Sequence, residues 1–456
     1  MTEEQKIWNW IEDHENELIE DITCLVEVPS ISSQAKGDIP YGENCQEVID
    51  RFLRMADGYD FRYENHEYYC CSILFGSGET ELGIWGHLDV VPEGRDWIYP
   101  PYTCIRKGDF LIGRGVQDNK GPSVAVLYAL RCIRDILGEP AIRYRQILGC
   151  QEEAGMQDVS YYLEHHPAPD YSIVADCAFP VCCGEKGICN IRLTSPEISG
   201  SMIKIEGGNA ENMIPDQASA VFGQILQNNR HTVSAMGISG HSAFPEGTQN
   251  AIGILCGDIL KSGLAEGTDR KIIEFLECVC RDGYGIGCGI ACEDGLSGKL
   301  TSSGTIVQTK ENRVELHMNI RYPITMNREG ILKRLQVSAD KYGFQAELLN
   351  DSRPNYVDRE SPWIQDLCKI YRAVTGDSGM PYVMGGGTYA RNIPNAVGFG
   401  PGLPVDFGKL GLPPGHGNCH CADEAQSISN LKKAIAIYTS ALWQFNIKNY
   451  KLNLKK

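Results

Sequence analysis

Five stretches of the chain place a histidine or a carboxylate just after an apolar run. They are His87-Leu-Asp89, Asp118 in Gly113-Arg-Gly-Val-Gln-Asp-Asn-Lys-Gly-Pro122, the adjacent pair Glu152-Glu153, Asp176 in Val174-Ala-Asp-Cys177, and His420 in His420-Cys-Ala-Asp-Glu424. Taken singly, a His or Asp at a strand end is an ordinary capping or solvated residue. As a set, imidazole nitrogens and carboxylate oxygens form the donor mixture that suits borderline divalent ions such as zinc, cobalt or manganese. Charge balance favours two ions: their four positive charges match three carboxylates and one hydroxide, with the histidines neutral. One of the two adjacent glutamates is then left over. In an extended segment neighbouring side chains point to opposite sides, so one can bind metal while the other faces a water. A carboxylate placed there is the general base a hydrolase needs, contributing roughly 10²–10⁴-fold. Asp89, two residues after His87 and so on the same side of a strand, is suited to accept the second imidazole N–H and fix its tautomer.

Other chemistries find no support. Neither G-x-S-x-G nor H-E-x-x-H occurs, which argues against a serine nucleophile and a single-zinc protease. The 19 cysteines include no C-x-x-C pair and are odd in number, so they read as reduced thiols, most of them small core hydrophobes. With 42 Lys+Arg against 59 Asp+Glu, the formal net charge is −17. So acidic a surface repels nucleic-acid phosphates and anionic membranes. No apolar run approaches the ~18 residues of a membrane span, and Met1 to Lys6 are acidic and polar. The expectation is a cytoplasmic protein with no nucleic-acid or membrane partner. At 42% hydrophobic and 22% charged residues the chain is an ordinary folded protein, and 456 residues at ~150 per domain suggest two or three domains.

The elements that must position these groups alternate in the first third. Ile7, Trp8, Ile11, Leu18, Ile19, Ile22 and Leu25 recur at helical spacing and predict an amphipathic opening helix that stops before Pro29. Residues 81–87, 142–148 and 171–175 read as short buried strands, and 123–137 as a helix opened by Gly121-Pro122. Strands separated by such helices predict a substantially parallel sheet with functional groups at its carboxyl edge. After Gly184 the texture turns Gly- and Ser-rich, with strand-like alternation over 313–320, which predicts an inserted α+β domain over 185–360. Residues 1–184 and 361–456, with helices near 363–374 and 427–443, then form one α/β domain.

The chain resembles the M20 metallopeptidases, and within them the dipeptidases of the bacterial dipeptidase-V type. The resemblance runs in order through residues 86–92, 97–102, 113–122, 152–155, Asn209-Ala-Glu-Asn-Met-Ile-Pro-Asp216, Gly240-His-Ser-Ala-Phe-Pro-Glu-Gly247, Gly386-Gly-Thr-Tyr-Ala-Arg391 and 420–424. It implies a zinc-exopeptidase-like catalytic domain, with a twisted mixed sheet flanked by helices and an inserted lid. It also implies two divalent ions, most simply Zn²⁺, with Mn²⁺ or Co²⁺ as alternatives. By the resemblance Asp118 bridges the metals, His87 and Asp176 complete one site, and Glu153 and His420 complete the other. Glu152 is the implied base and Asp89 the carboxylate that orients a ligand. Asn212 and His241 are implied near the developing oxyanion, and Arg321 near the substrate's carboxylate, which an Arg can grip bidentately. Gly387 and Thr388, at the end of a glycine run, can offer backbone N–H groups to that carboxylate.

The implied activity is hydrolysis of dipeptides or other short peptides with a free C-terminal carboxylate. The alternatives are an N-acyl amino acid deacylase of the same superfamily and a non-catalytic metal-dependent binding protein. Three departures matter. Asn119 stands where many relatives carry a second Asp. Cys419 and Cys421 flank His420, and His416 is a rival ligand. The insert's length of about 175 residues suggests an extra lobe that would let a monomer supply its own His241.

Overall fold

A computed structural model describes residues 1–224, 229–448 and 450. The chain divides into two units: residues 1–184, 357–382 and 388–456 form the first, and 185–356 with 383–387 the second.

The first unit is built on a twisted mixed sheet. Its strands run in the order Arg62–His66, Cys70–Phe75, Arg143–Gly149, Glu81–His87, Tyr171–Val174, Ala396–Gly398 and Cys182–Glu185. Strand Glu81–His87 pairs parallel with both of its neighbours, and Tyr171–Val174 pairs parallel with Ala396–Gly398. The flanking pairings are antiparallel. The expectation of a substantially parallel sheet thus holds only for the centre. The first two strands are joined by residues 67–69 alone, a link far too short for the crossover that parallel strands need.

Burial explains the central strands. Glu81–His87 is buried from Leu82 onwards and Tyr171–Val174 throughout, which is why their sequences are near-continuous apolar runs. The helix Lys120–Cys132 is buried at every position and packs against Glu81–His87. The C-terminal helix Ile428–Lys448 packs on it in turn. The amphipathic opening segment is two helices, Glu3–Asp13 and Glu15–Val26. At the break, His14 Nδ1 lies 2.6 Å from the Trp10 carbonyl and so occupies an acceptor at the end of the first helix.

The second unit carries a seven-stranded sheet. Its strands run Asn229–Met236, Gln217–Gln224, Met202–Gly207, Thr301–Lys310, Arg313–Tyr322, Gly187–Glu197 and Gln345–Ser352. Every pairing in it is antiparallel. Strand Arg313–Tyr322 lies between two others, and its Val314, Leu316, Met318, Ile320 and Tyr322 enter one core with Ile252, Leu255, Leu276 and Leu335 from the helices. With a side-chain period of two, the alternate residues His317, Asn319 and Arg321 share the other face. Two short two-stranded pairs, Met213–Ile214 with Gly240–His241 and Glu293–Asp294 with Gly298–Lys299, accompany this sheet among the described residues of the insert.

Candidate functional site

Three of the four adjacent parallel strands of the first unit end in candidate ligands at one edge of the sheet. His87 is the last residue of its strand. Glu152 and Glu153 follow Gly149 in the turn Glu152–Ala154, and Asp176 follows Val174 by two residues. Asp118 precedes helix Lys120–Cys132, and His420 sits in a loop before the short strand Ala425–Ser427. His420 has φ 62°, a left-handed conformation uncommon outside glycine and one that tends to gather at functional sites.

The side chains converge around Asp118. Its Oδ1 lies 3.0 Å from His87 Nε2 and its Oδ2 3.0 Å from His420 Nε2. On the outer sides, Asp176 Oδ2 is 3.8 Å from His87 Nε2, and Glu153 Oε1 is 3.1 Å from His420 Nε2. Three groups of donors lie mutually within 4.8 Å: His87 with Asp118 and Asp176, Asp118 with Glu153 and His420, and His87 with Glu152 and Glu153. Two ligands about 2.1 Å from a tetrahedral ion lie roughly 3.4 Å apart, so these separations fit coordination. The grouped donors contain no thiol, although Cys419 and Cys421 flank His420. His416 turns elsewhere, its Nδ1 2.7 Å from Asp423 Oδ2.

The electrostatics fit cations as well. Burial first, and then the charge of Asp176, holds the Glu152 carboxyl well above the usual carboxylate range. Burial and the charge of Asp118 act the same way on Glu153 and Asp176. Asp118 goes the other way: burial opposes its ionisation, but hydrogen bonds with His420 and His87 hold it well below the usual range. Hydrogen bonds to Asp118 and Glu153 push His420 up to about 11. Part-buried carboxylates at this density favour positive charge among them.

A shell of buried groups fixes the arrangement. His87 Nδ1 lies 3.0 Å from the Asp89 carbonyl and 3.3 Å from its carboxylate, which leaves Nε2 towards Asp118. The Asp89 carboxylate also accepts the backbone N–H groups of Glu152 and Glu153, at 3.2 and 3.1 Å. Asp158 accepts that of Gln151 at 2.7 Å and the Tyr389 hydroxyl. The glutamate pair is therefore held as a tight turn, and the extended reading is corrected: three successive N–H groups point back to two buried carboxylates. Asn119 donates to Asp176 Oδ1 at 3.0 Å and to the Ala175 carbonyl at 2.7 Å. An aspartate at 119 offers no such N–H. Glu424 accepts the backbone N–H groups of Gly115, Gln117 and Asp118 and pairs with Arg114 at 2.7 Å, which ties the Asp118 loop to the His420 loop. Lys120 Nζ donates to the Val28 carbonyl at 2.6 Å.

The remaining predicted residues divide between the units. Thr388 is in the first, where its hydroxyl accepts the Ala390 N–H at the start of the turn Tyr389–Arg391. Gly387 belongs to the second, with Asn212, His241 and Arg321. His241 Nδ1 accepts the Ala243 N–H at 3.2 Å, so a neutral ring carries its proton on Nε2. The Asn212 carbonyl accepts the Ser242 N–H at 2.8 Å. Arg321 is buried on its strand, with Nε 2.8 Å from Asn319 Oδ1 and Nη1 3.0 Å from the Gly385 carbonyl. Asp158, Asn319 and Glu424 carry no roles in the sequence reading. Glu424 lies in a quoted motif, but nothing in the local pattern marks the other two.

Two histidines and four carboxylates gathered at the carboxyl edge of the sheet in a mixed α/β unit form groups that could hold metal ions. The chain belongs to peptidase family M20/M25/M40, whose description matches residues 83–444. It is 29% identical over 422 residues to a Staphylococcus epidermidis protein named "Putative dipeptidase", covering 85% of this chain and 90% of that one. It is 28% identical over 460 residues to "Putative dipeptidase YtjP" of Bacillus subtilis, covering 94% and 97%. Among solved structures the fold resembles human carnosine dipeptidase 1, with a TM-score of 0.59, 15% identity and coverage of 98% and 99%. It also resembles the aminoacylhistidine dipeptidase of Vibrio alginolyticus, with a TM-score of 0.55, 14% identity and coverage of 93% and 96%.

Proposed function

We propose that this hydrolase cleaves dipeptides, or other short peptides with a free C-terminal carboxylate, at a centre of two divalent ions. The observation that carries the reading is Asp118, whose two oxygens each face one imidazole, with Asp176 and Glu153 on the outer sides and Glu152 beside His87 and Glu153. Asp118 would bridge the ions, His87 and Asp176 would hold one, and Glu153 and His420 the other. Zinc suits this nitrogen and oxygen donor set best, with manganese or cobalt as substitutes. Bound there, such ions polarise a carbonyl and lower the pKa of water.

The protein's own groups do the rest. Glu152 takes the proton of the attacking water as the water oxygen bonds to the scissile carbonyl carbon. It returns that proton to the amine nitrogen as the C–N bond breaks, so a carboxylic acid and an amine leave. Asp89 holds the glutamate turn and the His87 ring. The Nε2–H of His241 and the Asn212 side chain stabilise the developing oxyanion, a contribution of a few kcal/mol. Arg321, with backbone N–H groups of Gly387 and Thr388, takes the substrate carboxylate.

The protein is proposed to act in the cytoplasm, where its thiols stay reduced. Among the described residues no helix is long and apolar enough to cross a membrane. The proposal includes a monomer in which His241 serves its own chain. An active dimer in sedimentation, with a His241 variant rescued by mixing with a Glu152 variant, would replace it. The central test is a dipeptide panel run on chelated protein with zinc, manganese or cobalt restored. Cleavage of free dipeptides above their N-acetylated analogues is expected. Preference for the N-acyl compounds would make the protein a deacylase, and no hydrolysis with any ion would remove the proposal.

A further inference from the structure

We propose that Asn319 is a positioning residue that fixes Arg321 and the His241–Ser242 segment together and so sets recognition of the peptide carboxylate. The inference rests on the dipeptidase reading and goes beyond it by naming what aligns the substrate groups. Asn319 is 2% exposed on strand Arg313–Tyr322, two residues before Arg321 and on the same face. Its Oδ1 accepts from Arg321 Nε at 2.8 Å and from the Ser242 hydroxyl at 2.8 Å. Its Nδ2 donates to Asn190 Oδ1 at 2.5 Å on the neighbouring strand, where Asn190 is its register partner. The donor side is therefore committed to Asn190, and the amide presents oxygen to both other partners.

Ser242 follows His241 directly, and its N–H is bonded to the Asn212 carbonyl. One buried amide thus joins the three segments that carry Arg321, His241 and Asn212. The glycine run closes on the same place. The Gly385 carbonyl accepts from Arg321 Nη1, and a Cβ at Gly385 would lie 3.2 Å from the Ala243 Cβ. A guanidinium that loses its Nε anchor loses part of the geometric advantage of a fixed fork, even with Nη1 still on Gly385. An apolar side chain at 319 strips both acceptor contacts at once.

The test uses the full-length, metal-loaded protein, a cleaved dipeptide and its C-terminal amide. Asn319→Leu is expected to lower kcat/KM for the dipeptide by about tenfold to a hundredfold, chiefly through KM. Cleavage of the amide should change much less, and metal content should stay level. Asn319→Asp keeps the shared acceptor oxygen, and the Asn190 amide can turn its NH₂ towards the new carboxylate, so discrimination should return. Equal losses on the two substrates would reduce Asn319 to a structural residue and overturn the proposal, as would unchanged discrimination in Asn319→Leu. If that variant does not fold, Ser242→Ala decides. It should lower turnover severalfold, and wild-type kinetics there would also overturn the proposal. Wild-type protein that cleaves dipeptide and amide equally would refute Arg321 as the carboxylate group, whatever the variants do. Wild-type protein that cleaves neither would refute the dipeptidase reading and this inference together.

Discussion

Asp89 holds the backbone N–H of Glu153 at 3.1 Å through one carboxylate oxygen, while the other takes the N–H of Glu152 at 3.2 Å. The same buried carboxylate lies 3.3 Å from His87 Nδ1, so one side chain orients a candidate ligand on each of two elements. Removing it as Asp89→Ala leaves two N–H groups without their acceptor and a ring without its charged partner. Metal affinity should fall by about 10–100-fold, as for other groups that orient ligands. Competition with a chelator measures this, and unchanged affinity would deny the link.

In the proposed two-ion arrangement, Glu152 is the one carboxylate of the four that holds no ion. Glu152→Gln keeps its size and should cost roughly 10²–10⁴-fold in turnover with two ions still bound. Kinetics with elemental analysis on the same sample settle it. Loss of an ion would make Glu152 a ligand, and near-native turnover would move the base elsewhere.

Burial and mutual repulsion hold Glu152, Glu153 and Asp176 up, so bound cations should stabilise the fold as well as enable chemistry. An ion at 100 times its dissociation constant adds about 2.7 kcal/mol. Calorimetry should show chelation lowering Tm and zinc restoring it. A Tm indifferent to chelator would argue against a preformed centre.

Arg114 and Glu424 form a fully buried pair at 2.7 Å. Arg114→Met removes the only formal positive charge in that pair, and breaking a buried pair from one side costs about 3–5 kcal/mol. Because Glu424 also holds the Asp118 N–H, loss of stability and of metal retention should occur together. Urea unfolding and metal analysis check both, and a fully stable variant would contradict the assignment.

The sequence made the centre of the first unit legible because its strands are buried on both faces and read as apolar runs ending in a ligand. Apolar runs do not reveal strand direction, so the antiparallel flanks were missed. The Glu152-Glu153 turn was misread because what shapes it is distant: Asp89 lies 63 residues before Glu152. Asp158 and Asn319 escaped for a related reason. Their work is done through backbone groups or neighbouring amides, and no spacing rule marks it. His420 is distinguished from His416 by the partners each reaches, which only the fold supplies.

A last prediction concerns stability away from the metal centre. His66 is buried, with Nε2 2.9 Å from Ser72 Oγ, and its ring meets Tyr162 and His166. Burial first, then the charge of His166, pulls it from 6.5 down to about 4, with Arg145 acting in the same sense and Glu64 against. Between those values the unfolded chain binds the proton and the folded chain does not. The contribution is therefore full above pH 6.5 and is lost as pH falls towards 4. From pH 7.5 to pH 5 this amounts to about 2 kcal/mol. His66→Gln can keep a hydrogen bond to Ser72 and does not titrate. In chelator, so that ligand protonation is common to both proteins, urea unfolding at the two pH values should show the wild type losing about 2 kcal/mol more than the variant. Parallel losses would mean that His66 titrates alike in the folded and unfolded chain.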